Sequence, residues 1–80
     1  MSATACPPSR TPEDYSPDPD GHFVRRIRER KIPGYAIRKC IQNGAVETLE
    51  AGRVALIADG HTVVVNPRSM TAETVYRGSP

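Results

Sequence analysis

Eighty residues, 38% hydrophobic and 25% charged, make one small domain at most. No apolar run approaches eighteen residues and no secretory core is visible, which excludes a membrane-spanning helix and leads us to expect a cytoplasmic protein. The formal charge of +2 hides a sharp division. Residues 1–20 hold Arg10 against four acids, whereas residues 21–40 hold seven Arg or Lys against Glu29 alone. A basic cluster of that kind is the footprint of a protein that meets a polyanion.

Residues 1–18 contain four of the eight prolines and only Tyr15 as a bulky apolar group after the initiator Met1. Such a stretch buries too little surface to offset its ordering entropy, so we expect a disordered arm over 1–18 and a folded domain over 19–78. The acids of residues 1–20, Glu13, Asp14, Asp18 and Asp20, precede the basic segment and are expected to fold back and screen it. A core of roughly 60 residues is marginal alone, which makes a homodimer or another protein partner a natural supplement. Cys6 in the arm and Cys40 on a helix face do not form a disulfide framework.

Asp18-Pro19-Asp20 is a helix-start signal, with Asp18 as N-cap. The first helix then places Phe23, Val24 and Ile27 on a buried stripe, with His22, Arg26 and Arg30 in a row beside it and Arg25 able to pair with Glu29. Pro33 opens a second helix that runs to about Asn43, burying Ala36, Ile37, Cys40 and Ile41 and leaving Tyr35 among Arg38 and Lys39. Gly44 suits a left-handed position at its end.

Beyond Gly44 the period becomes alternating. Strands are expected at 45–49, 53–58, 61–65 and 71–77, joined by Ala51-Gly52, by the hairpin signal Asp59-Gly60 and by the turn 66–69. A two-residue hairpin pairs Ala58 with His61, Leu56 with Val63 and Val54 with Val65. It leaves Ala55, Ile57, Thr62 and Val64 on a second apolar face that helices cannot also cover. The expected fold is α+β, two N-terminal helices on a four-stranded antiparallel meander preceded by the disordered arm.

No phosphate-binding glycine loop, CxxC or HExxH occurs, and neither histidine has a ligand neighbour at customary spacing, so no metal or cofactor is expected. The chemistry-bearing set is His22, Arg26 and Arg30 with Thr74, Tyr76 and Arg77. Histidine moves protons near neutral pH, arginine offers fixed donors to phosphate, and tyrosine stacks on a base or donates its hydroxyl. The plainer alternatives are a solvated arginine edge, a surface His22, a strand-end His61 and a Tyr76 that only packs on the sheet.

The run His22…Arg26-Ile27-Arg28-Glu29-Arg30-Lys31-Ile32-Pro33, then Ile37…Ile41-Gln42-Asn43-Gly44, Asp59-Gly60-His61-Thr62-Val63-Val64-Val65-Asn66 and Glu73-Thr74-Val75-Tyr76 resembles a group of small domains similar to ribonuclease toxins of the RelE and BrnT type. The resemblance covers about residues 22 to 77. It implies helices on a four-stranded antiparallel sheet, metal-independent RNA cleavage and an antitoxin-like partner. His22, Arg26 and Arg30 match its helical motif, and Thr74 and Tyr76 its closing strand; with Arg77 beside them, we expect His22 and Tyr76 to be catalytic and Arg26, Arg30, Thr74 and Arg77 to bind substrate. Where that pattern has glycine after the second arginine, this chain has Lys31. The alternative function is a non-catalytic binding or regulatory module that acts through a protein partner or a homodimer.

Overall fold

A computed structural model describes residues 8–78 of the chain. Cys6 lies outside them. In chain order the elements are β1 (Ser16–Pro17), α1 (His22–Arg30), α2 (Gly34–Asn43), β2 (Ala45–Thr48), β3 (Val54–Ala58), β4 (His61–Asn66) and β5 (Thr71–Arg77), with short 3-10 turns at Pro12–Asp14 and Glu50–Gly52. Strand order across the single sheet is β1-β5-β4-β3-β2. The protein is α+β.

The expectation of a four-stranded, wholly antiparallel sheet is wrong, and residues 8–18 are not the disordered arm expected over 1–18, whose first seven residues lie outside those described. Residues 16–17 form a fifth strand, parallel to β5, which makes the sheet mixed. Ser16 N donates to Met70 O at 3.0 Å and Asp18 N to Ala72 O at 3.1 Å, leaving Pro17, which has no N–H, between the two donors. Tyr15 packs against the core, and its hydroxyl donates to Ser9 O at 2.8 Å. Arg10 donates to Gly44 O at 2.8 Å, and Arg38 pairs with Glu13 at 3.0 Å. A poor composition for core building therefore did not prevent docking. Backbone edge bonds and one aromatic hold this strap.

The hairpin register is as the Asp59-Gly60 pair requires: Ala58 faces His61, Leu56 faces Val63 and Val54 faces Val65. Both turn residues have positive φ, 51° and 75°, the primed turn that matches strand twist. One sheet face, Val54, Leu56, Val63, Val65, Ala72 and Val75, meets Phe23, Ile32, Ala36, Cys40 and Ile41 from the helical side. Val24, expected in the stripe, is exposed. On the other face Ala55, Thr62 and Val64 are nevertheless buried, with Glu47, Tyr76 and Thr74 as direct cross-strand neighbours. Small side chains among longer neighbours thus need no dimer mate to be sheltered.

Between Val64 and Val65 the β4–β5 register shifts, so that β5 carries one extra residue, Glu73. Strict alternation would send Glu73 inward with Val75. The bulge instead gives the core position to Ala72, and Glu73 pairs with Arg53 at 3.5 Å.

Two helix ends depart from the sequence reading. Gly44 is not left-handed; its φ is −67°. A Cβ there would lie 2.3 Å from Cys40 O and 2.9 Å from Ile57 N, so glycine serves the close approach of α2 to β3. The left-handed helix end belongs to Lys31, with φ 50° and ψ 50°, whose N–H and that of Ile32 both reach Ile27 O. A side chain there is strained, and Lys31→Gly is expected to stabilise the fold by about 1 kcal/mol, read as a rise in urea midpoint with unchanged slope.

Candidate functional site

Asp18 starts α1 from a distance. The turn Asp18-Pro19-Asp20-Gly21 closes with Gly21 N donating to Asp18 O at 3.1 Å, and Gly21 supplies the positive φ of 80°. Folded back in this way, the Asp18 carboxylate accepts from Phe23 N at 2.8 Å and from His22 N at 3.3 Å. These donors at the positive end of the helix hold its carboxyl below the ordinary value of 3.8. A lowered pKa means that the folded state binds the Asp18 proton less readily than the unfolded chain. Its stabilisation is complete well above pH 3.8 and is lost as pH falls below 3.8 through the folded value. Acid unfolding of Asp18→Asn should accordingly show a shallower loss of stability below pH 4 than that of the wild type.

From this start α1 runs alongside β5. Phe23 is buried and Ile27 half-buried against the core, which turns Arg25, Arg26, Arg28 and Arg30 to solvent, followed by the exposed Lys31. Arg26, not Arg25, meets Glu29, at 3.6 Å. Among the described residues, Arg25, Arg28 and Arg30 have no carboxylate within ion-pair distance.

A cleft of about 630 Å³ opens between the start of α1, the strap, the β4–β5 turn and β5. His22, Arg26 and Thr74 line it together, so three of the six expected site residues meet. Arg30, Tyr76 and Arg77 are not on its walls. Arg30 is one turn along α1 from Arg26. Tyr76 is two residues beyond Thr74 on the same sheet face, half-buried opposite Thr62. Arg77 belongs to the helical side, where its guanidinium donates to Lys31 O at 3.4 Å and serves the carbonyl end of α1.

Sequence reasoning missed the other lining residues, four of which carry charge. Arg53 and Glu73 reach the cleft as a pair, which only the β5 bulge makes possible. Asp18 and Asp20 stand beside His22: each of the three brings one ligand-type atom within 4.8 Å of the other two, and His22 Nδ1 is 3.7 Å from Asp18 Oδ2. The spacing i−4, i−2, i was the available signal, and it corrects the view that His22 lacks such neighbours.

His61, the second histidine, holds the hairpin turn, with Nδ1 3.0 Å from Asp59 O. Cys40 is fully buried and donates its thiol proton to His61 O at 3.3 Å, and burial pushes its pKa up. No helix among the described residues is long and apolar enough to cross a membrane. Compared with known proteins, the chain matches no family model, no curated protein and no solved structure. The likeness to ribonuclease toxins therefore rests on the residue pattern alone.

Proposed function

We propose that this α+β protein binds single-stranded RNA, gripping the phosphate backbone with the exposed face of α1. The observation that carries the reading is the set Arg25, Arg26, Arg28, Arg30 and Lys31, solvent-exposed along one short element with a single acid, Glu29, among them. Arginine keeps its charge at every physiological pH and offers a planar fork of donors to phosphate. The adjoining cleft has the size of a small-molecule site, enough for a nucleotide. Tyr76 lies on the same sheet face as Thr74, beyond the cleft, as a surface on which a base can stack.

Cleavage is the second reading, favoured by the meeting of His22, Arg26 and Thr74 in one cleft. In metal-independent chemistry the 2′-oxygen attacks phosphorus and the 5′-oxygen of the next nucleotide leaves. His22 would take the 2′-hydroxyl proton, and Arg26 would face the charge gathering on phosphate. Against strong catalysis stand three carboxylates in the same cleft, those of Asp18, Asp20 and Glu73.

Fluorescence anisotropy with a labelled 12-nucleotide RNA, alongside single-stranded and duplex DNA, tests the binding claim; gel analysis of the same RNA in chelator tests cleavage. Three or four phosphate contacts give a log–log salt slope of about −2 to −3. Absence of RNA binding at low salt would remove the proposal. Intact RNA after prolonged incubation would remove only the second reading.

A further inference from the structure

We infer that Asp20 is a built-in competitor for RNA phosphate at the cleft, an inference that rests on the RNA-binding reading above. The screening acid expected from sequence narrows to one residue once each carboxylate is followed. Glu13 is spent on Arg38, and Asp14 accepts from the Ser9 hydroxyl. Asp18 is committed to the backbone of His22 and Phe23, where the end of α1 offsets its charge. Glu73 faces Arg53. Asp20 is different: it is exposed, and among the described residues its carboxylate has neither a hydrogen-bond nor an ion-pair partner.

Its position is nonetheless fixed. The β1–β5 ladder delivers the turn, the bond from Gly21 N to Asp18 O closes it, and Asp20 ends within 4.8 Å of His22 and on the wall shared with Arg26. A phosphate held by Arg26 in this cleft lies in the field of this carboxylate. Binding at the cleft is therefore weaker than α1 alone would make it, and the strap sets the affinity of the site it borders.

The test compares Asp20→Asn and Asp20→Lys with Glu47→Gln in the full chain. Glu47 is an exposed acid on β2, at the far edge of the sheet, so its neutralisation changes net charge equally without touching the cleft. At 50 mM salt Asp20→Asn should tighten binding of the labelled 12-nucleotide RNA about two- to fivefold, as removal of one exposed repulsive charge permits. Asp20→Lys should tighten it further, Glu47→Gln should change it by less than half as much, and all three differences should fade at 500 mM salt. Equal affinities of Asp20→Asn and Glu47→Gln would overturn the inference while leaving RNA binding in place. No binding by the wild type or any variant would overturn both.

Discussion

Gly44→Ala should lower the stability of this domain by about 3 kcal/mol, a large share of the roughly 4–12 kcal/mol that a chain of this length holds. The added Cβ meets backbone on both sides, the carbonyl of Cys40 at 2.3 Å and the amide of Ile57 at 2.9 Å. Neither is the far end of a flexible side chain. Relief requires the last turn of α2 to open at the Cys40 carbonyl and the helix end to withdraw from β3, and that loosens Cys40 and Ile41 against Leu56 in the centre of the core. The Gly44 N–H is also tied to Cys40 O at 2.9 Å, so a shift of the helix end breaks a bond as well as packing. Thermal unfolding checks this, with an expected fall of about 12–24 °C. Gly34→Ala is the control. It opens α2, meets nothing within 4 Å and should be neutral or slightly stabilising.

The largest functional effect is expected from Arg26→Ala combined with Arg30→Ala. Both side chains are exposed and one helical turn apart on α1, and neither belongs to the core, so the double variant should fold as the wild type does. Each arginine that grips phosphate contributes a charge-assisted, two-pronged bond. Their joint loss should weaken RNA binding about a hundredfold at 100 mM salt and flatten the log–log salt slope by about 1.4. An equal loss after Arg38→Ala plus Lys39→Ala, which remove the same charge from the exposed side of α2 away from the cleft, would show that only net charge mattered.

Local chemistry made much of the fold legible. Asp59-Gly60 dictates a primed turn, and with it the whole β3–β4 register and the burial of Leu56, Val63 and Val65. The faces of α2 followed from 3.6-residue spacing, with Ala36, Cys40 and Ile41 inside and Tyr35 outside. What escaped is what periodicity does not encode. A two-residue strand, Ser16–Pro17, has no alternation to read and owes its place to backbone donors meeting the open edge of β5. The extra residue at Glu73 leaves no mark in composition, yet it decides which of Ala72 and Glu73 enters the core. Gly44 advertised itself as a helix stop, but the reason for glycine was distance, not dihedral angle.

The candidate site divides the same way. Helical spacing put His22 and Arg26 in one row, and the closing strand put Thr74 and Tyr76 on one face, but whether row and face meet depends on the path of α1 beside β5. They meet at Thr74 and not at Tyr76. Arg77 has the residue type for phosphate, yet strand parity turns it to the helical side, where Lys31 O claims it. Asp18 was expected at the N-cap, a position that Gly21 holds; its carboxylate reaches His22 N, Phe23 N and the neighbourhood of His22 Nδ1 only through the tight turn at Gly21.

The most direct measurement is an amide NMR titration of the full chain with a short single-stranded RNA. If α1 and the cleft hold the RNA, the shifted amides will be those of residues 21–31, with Thr71 to Thr74 beside them and the Arg26, Arg28 and Arg30 side-chain signals moving together. Shifts gathered instead on β2 and the outer surface of α2, or none at RNA excess, would contradict the account.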